Sequence, residues 1–193
     1  MTEKAKRPWT DKDGAWYLEE GERWSDSPHT GWYAEDLDNG FVTPSGYGTP
    51  DIICHKNASP SLSSDTLAKV AAGGVVNFAW IAAVKKEDLK WTKIDAHGFE
   101  DGKWAAIKMV GQNNSWPVTV PTNLAAGKYV FRHEIITLYS AGQANDAQNY
   151  PQCLSIEVTG SKPEKPESVL GNKLYSATDP GIFVNVYAHN TNY

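Results

Sequence analysis

The chain has little of what marks a membrane, nucleic-acid or zinc-module protein. Only two cysteines, Cys54 and Cys153, occur in 193 residues, which leaves one disulfide or two buried thiols and no zinc spacing. No apolar run approaches the ~20 residues that a membrane span needs. There is no basic cluster, and the formal net charge is −5. That balance argues against nucleic acid and anionic membranes and suits a polymer without charge. The start, MTEKAKRPW, has no apolar h-region, so no secretory leader is expected in the sequence as written. Sustained helical periodicity is also missing. No Ser/His/Asp set or phosphate loop stands out, and 23 acidic residues single out no pair for hydrolysis.

Aromatics, by contrast, are plentiful. Eight Trp and nine Tyr suit a β-rich core or a carbohydrate-facing surface. The length suits one domain with a core of its own. Residues 128–139 are rich in β-branched and aromatic side chains. Tyr129, Phe131, His133 and Ile135 share one face, with Val130, Arg132, Glu134 and Ile136 on the other, so this run is expected to be a central strand. Arg132 and Glu134 are expected to pair as a structural couple. In 154–159, Leu154, Ile156 and Val158 point in and Ser155, Glu157 and Thr159 point out, as in a strand with one wet face. Between them lies a Gly/Asn/Asp/Gln-rich loop, with Pro151 as a stop, that carries Gln148, Tyr150 and Cys153.

Further short strands are expected at 51–54, 75–80, 91–95, 116–120 and 182–187, the last with Phe183, Asn185 and Tyr187 on one face. Turns are expected at 38–40 and 43–46, and surface loops at 59–65 and 161–170. This pattern predicts an all-β fold. Asn57-Ala58-Ser59 and Asn113-Asn114-Ser115 have the form of glycosylation sequons, the first weakened by Pro60.

RHEIITLYSAGQANDAQNYPQC (132–153) belongs to a larger series. With PDIICHKNASP (50–60), GWYAEDLDNGFV (31–42), WTKID (91–95), NNSWPVTVP (113–121) and YSATDPGIFVNVY (175–187), it resembles the fungal cellulose-active lytic polysaccharide monooxygenases. The resemblance implies a single immunoglobulin/fibronectin-like antiparallel β-sandwich with long loops over residues 31–193. Residues 1–30 form an atypical N-terminal segment that matches poorly. The resemblance also implies that Cys54 and Cys153 pair. It further implies secretion, a monomeric state, cellulose or another β-glucan as partner, and an electron donor if the chain is active.

The copper cofactor of that family is held by a histidine brace, three nitrogens from an N-terminal histidine and a second imidazole, with a phenol at the distant axial position. The axial position matches Tyr150, and Gln148 matches an amide that orients bound oxygen or water. The outer histidine of the family falls at Tyr139, a phenol with an ordinary pKa near 10. Tyr187 matches an aromatic of the flat substrate face. The brace nitrogens have no match, since residue 1 is Met and 81–90 hold no histidine. His55 and His133 match positions that are not ligands and are expected to be structural, and His29 is out of register with the family. His97 and His189 are expected to be solvated. The expectation is therefore a family member with impaired oxidative activity, or a non-catalytic β-sandwich that binds polysaccharide.

Overall fold

The computed structural model describes Trp32 and residues 40–58, 68–74, 85–159 and 166–188. The expected strand at 75–80, the loop at 59–65, residues 161–165 of the loop expected at 161–170, His29 and His189 lie outside them; the end of that second loop, Val169–Leu170, is a strand and not a loop. After a short 3-10 turn comes a single helical turn, α1 (Asp51–Cys54), followed by the strands β1 (Ala68–Ala71), β2 (Lys90–Trp91), β3 (Phe99–Glu100) and β4 (Lys103–Trp104). Then come helix α2 (Ala105–Gly111), the long strands β5 (Gly127–Thr137) and β6 (Gln148–Thr159), and β7 (Val169–Leu170). They form a three-stranded sheet in the order β1-β6-β5 and two small antiparallel pairs, β2-β7 and β3-β4.

The strand β6 organises this arrangement. On one side it pairs antiparallel with β5, from Gly127 opposite Val158 to Thr137 opposite Gln148. On the other it meets three segments in turn: Val42 bridges Asn149, the Trp32 N–H donates to the Cys153 carbonyl at 2.9 Å, and β1 runs parallel from Ala68 opposite Ile156 to Ala71 opposite Thr159. Because Asn149 and Cys153 turn their backbone groups away from β5, Pro151 between them does so too. Its missing N–H therefore costs no rung of the β5 ladder. That is why β6 begins at Gln148 and not at 154, so Gln148, Tyr150 and Cys153 stand on a strand where a loop was expected.

Two further expectations about this hairpin are corrected. Among the described residues β5 is the edge of its sheet and β6 the centre. Ser155 is buried, because the Trp32 indole N–H donates to its hydroxyl at 3.1 Å, so the wet face expected of the second half of β6 is confined to half-buried Glu157 and exposed Thr159. One face of the hairpin packs on a core that includes Trp32, Val42, Tyr47, Ile52, Ile53, Leu138 and Ile182. The other face is covered by Val120 and Leu124 over Leu154, Ile156 and Val158. That second cover stops short of the Gln148 end, where His133 and Ile135 are exposed.

The run 51–54 was expected to be a strand and is instead the helical turn α1. Period alone cannot separate the two in a run this short. Pro50 stands at its start with φ −60° and Asp51 in its first turn, both suited to a helix N-terminus. Its carbonyls at Ile52 and Ile53 accept from the Arg132 guanidinium at 2.9 and 2.8 Å, which satisfies groups that a helix end leaves open. Cys54 is bonded to Cys153 with an S–S length of 2.04 Å, tying α1 to β6. The expected turn at 43–46 is found as a 3-10 turn, Pro44–Gly46. The expected strand at 116–120 is extended chain in which only Thr119 forms a bridge, and 182–187 is made of turns and bends. The alternation within 182–187 nevertheless holds: Ile182 is buried and Phe183 and Tyr187 are exposed.

Candidate functional site

The start of β6 and the end of β5 bring three of the predicted side chains together. Gln148 and Tyr150 are two apart and therefore share a face of β6. Tyr139 lies two residues beyond Thr137, the partner of Gln148. The Tyr150 hydroxyl donates to Gln148 Oε1 at 2.8 Å, and Gln148 Nε2 donates to the Tyr139 hydroxyl oxygen at 2.9 Å. One amide thus links two phenols in a chain, Tyr150 to Gln148 to Tyr139. At the outer end Tyr139 is 58% exposed. At the inner end the Phe41 ring meets Tyr150 edge-on, with centroids 6.0 Å apart. Phe41 also lines an open cleft of about 340 Å³ with Thr43, Ser45, Asp51 and Lys56.

The opposite face of the same stretch is fixed by a buried polar network. Arg132 and Glu134 pair as expected, Nη2 to Oε1 at 2.5 Å. Glu134 Oε1 also accepts from Asn149 Nδ2 at 3.0 Å, and Asn149 Oδ1 accepts from the Tyr47 hydroxyl at 2.6 Å. The Tyr175 hydroxyl donates to Glu134 Oε2. Burial, and then the charge of Glu134, push the Tyr175 phenol well above its ordinary pKa. Asn149 thus stands between Gln148 and Tyr150 with its side chain locked in the core, which sets the backbone that presents the other two. Sequence reading found the Arg132–Glu134 couple because it is local. It missed Asn149, Tyr47 and Tyr175, since Tyr47 is 102 positions from Asn149 and no local pattern joins them.

Tyr187 stands apart from the hydrogen-bonded chain. It is 72% exposed, on a segment fastened to the turn after Tyr139 by a Val184 N–H to Ala141 carbonyl bond of 3.0 Å. Phe183, two turns of alternation earlier on the same exposed side, is 50% exposed.

The described histidines, His55, His97 and His133, do not converge on Tyr150. His55 is buried, its Nε2 faces the Gly40 carbonyl, and it serves structure as expected. His133 stands opposite Gln152 at the exposed end of the hairpin, where burial of its ring and the charge of Arg132 hold its pKa below the ordinary value. His97, expected to be free in solvent, has Asp95 at 3.0 Å from Nε2 and Glu100 at 3.2 Å from Nδ1, with its ring 4.7 Å from that of Trp116. Among the described residues no three His, Cys, Asp or Glu side chains are placed to hold one metal ion. The Tyr150 hydroxyl proton is committed to Gln148, and both sulfurs are in a disulfide. The described residues therefore do not fit a three-nitrogen copper centre.

Comparison with known proteins gives a consistent match. The model of Auxiliary Activity family 9 (formerly GH61) matches residues 81–193. The AA9 family lytic polysaccharide monooxygenase cel61A of Hypocrea jecorina is 46% identical over 188 residues, covering 84% of this chain and 54% of its own length. Monooxygenase D of Botryotinia fuckeliana is 46% identical over 185 residues, covering 84% of this chain and 74% of its own length. This chain thus spans about half the length of the Hypocrea relative. The solved extended catalytic domain of H. jecorina LPMO9A superposes with a TM-score of 0.76 at 44% identity, covering 86% of this chain and 76% of that one. Cel61B from the same organism gives 0.78 at 40% identity, covering 86% and 83%. With these matches the all-β architecture is a β-sandwich with long loops.

Proposed function

Because the chain belongs to Auxiliary Activity family 9, the lytic polysaccharide monooxygenases, we propose that it engages cellulose or a related β-glucan outside the cell and is impaired as an oxidase. The observation that carries this reading is the chain Tyr150–Gln148–Tyr139 with no metal-holding cluster beside it among the described residues. In the family, copper supplies the oxygen chemistry, with electrons from an external donor. Gln148 and Tyr150 would stand beside that metal, and Tyr139 would end the outer chain where the family has an imidazole. An imidazole both gives and takes a proton near neutral pH, and here a phenol hydrogen-bonded to Gln148 stands in its place. Two exposed aromatics, Phe183 and Tyr187, give the neighbouring segment surfaces on which a glucosyl ring can stack.

A second reading is a β-sandwich of the same descent that only binds glucan. It is favoured by the same lack of a metal-holding set among the described residues. Copper titration of the purified chain by calorimetry, followed by EPR, separates the two readings from an intact monooxygenase. Weak binding spread over several sites is expected. A single tight site with nitrogen hyperfine structure would overturn the proposal.

A further inference from the structure

We propose that the open cleft beside Tyr150 is a second carbohydrate site, which receives a single neutral pyranosyl unit, a chain end or a branch, edge-on. It rests on the glucan-binding reading above and adds to it a place apart from the exposed aromatics Phe183 and Tyr187.

The walls of the cleft come from two segments, and both are fastened to β6. Phe41 precedes Val42, which exchanges two backbone hydrogen bonds with Asn149, of 2.8 and 3.0 Å, on the edge of β6 that faces away from β5. Asp51 opens α1, which the Cys54–Cys153 disulfide ties to the same strand. His55, the residue after α1, faces the Gly40 carbonyl with Nε2, so the two walls are also joined to each other. Gly46 packs close against Val42, for a Cβ there would lie 2.8 Å from Val42 Cγ1. The Ser45 N–H donates to Asn145 Oδ1 at 2.7 Å and fixes the rim. The cleft is therefore preformed, and an entering ligand gives up little beyond its own freedom. Tyr139 and the 182–187 segment attach through the β5 end instead.

The lining selects among ligand classes. Asp51 is half-buried, and among the described residues one hydrogen bond reaches its carboxylate, from the Asn57 N–H at 3.4 Å. A carboxylate offers about four acceptor sites, so a pair of neighbouring hydroxyls on a ligand finds room there. Thr43 Oγ1 and Ser45 Oγ lie 3.0 Å apart, and each keeps capacity to donate or accept. Lys56 Nζ stands 5.8 Å from the centroid of the Phe41 ring, which sets a cation beside an apolar surface. A pyranose has the matching pair of surfaces, hydroxyls around its edge and C–H groups on its faces. A phosphate or sulfate would face the Asp51 carboxylate. An apolar ligand would strip water from the hydroxyls and charged groups without replacing it. The volume of about 340 Å³ is at the low end of small-molecule sites, roughly 300–1,000 Å³, which suits one or two sugar units and not a cellulose chain laid flat.

The test follows backbone amide shifts of the full chain, labelled with nitrogen-15, as cellobiose and cellotriose are added. Saturating shifts are expected at Thr43, Ser45 and Lys56, and glycerol at the same concentration should not reproduce them. Asp51→Asn should weaken the response about tenfold, as the loss of a hydrogen bond to a charged group does. Ser45→Ala, a change at an exposed residue that the fold tolerates, should weaken it about threefold, and Tyr187→Ala should leave it in place. Saturating shifts confined to Phe183 and Tyr187, or shifts that glycerol matches, would overturn the proposal. An unchanged response in both Asp51→Asn and Ser45→Ala would overturn it equally. A silent cleft with cellulose pull-down retained strikes this inference alone, whereas loss of binding in both assays strikes the functional reading beneath it.

Discussion

Arg132 and Glu134, two positions apart on the inward face of β5, form an ion pair of 2.5 Å whose side chains are 8% and 7% exposed. The pair reaches beyond its strand: Arg132 holds the Ile52 and Ile53 carbonyls of α1, and Glu134 holds Asn149 and Tyr175. Removing one charge strands the other in the core. Arg132→Met should therefore destabilise the chain by about 3–5 kcal/mol, read from urea unfolding. A loss under 1 kcal/mol would show that the network does not lock β6.

Tyr175 gives a pH dependence with a fixed sign. Its folded pKa lies above the unfolded value, through burial first and then Glu134. Its contribution is fully present below the unfolded value of about 10 and is lost as pH rises toward the folded value. Unfolding free energy should fall above about pH 10, and the fall should be shallower in Tyr175→Phe. At neutral pH the same variant leaves Glu134 Oε2 one donor short, at a cost of about 1–3 kcal/mol. Equal alkaline slopes in both proteins would remove Tyr175 from the network.

Gly171 is where the β7 end closes on α1. A Cβ there would lie 2.6 Å from Ile53 Cγ1 and 3.0 Å from the Trp91 indole nitrogen, and Ile53 is fully buried. Gly171→Ala should cost about 1–3 kcal/mol by overpacking. Gly102→Ala serves as a contrast, since a Cβ there would meet nothing within 4 Å and its strain comes from φ +74° alone. If Gly171→Ala is neutral in thermal melts, the contact between that turn and α1 is looser than described.

The legible parts of this molecule are those that follow period and local pairing. The β5 run, the Arg132–Glu134 couple and the 43–46 turn came from the residues. The partnership of Cys54 with Cys153 and the grouping of Tyr139, Gln148 and Tyr150 came from resemblance. What failed was decided elsewhere in the chain. The 148–153 stretch looked like a loop because the pairing that makes it a strand, and the backbone direction that lets Pro151 sit in it, are invisible in sequence. The 51–54 run looked like a strand because the guanidinium that satisfies its carbonyls sits 79 and 80 positions away. Helix α2 is seven residues long with no buried face, so it leaves no apolar period to read.

Cellulose binding tests the exposed aromatic segment. Tyr187 is 72% exposed, and one stacked ring contributes on the order of 1 kcal/mol. Tyr187→Ala should weaken pull-down on microcrystalline cellulose by about that amount, with the melting temperature unchanged. Unchanged binding would take Tyr187 out of the contact surface.

Oxidation of cellulose is the sharpest test, because the two defects of the proposed reading predict different repairs. The outer one is Tyr139, a phenol at the position where the family has an imidazole, which accepts a hydrogen bond from Gln148. The inner one is the metal site, where the described residues give a phenol already donating to Gln148 and no converging set of ligands. A neutral phenol alone is a weak copper ligand. If the inner defect dominates, the chain with copper, ascorbate and peroxide should release no C1- or C4-oxidised oligosaccharides from swollen cellulose above a free-copper control. Tyr139→His, which restores an imidazole at the outer position, should then change nothing. If products rise with Tyr139→His and vanish with Tyr150→Phe, the outer defect was the limiting one. Nitrogen ligands from residues beyond those described would then have to complete the site, and the impaired reading would fall.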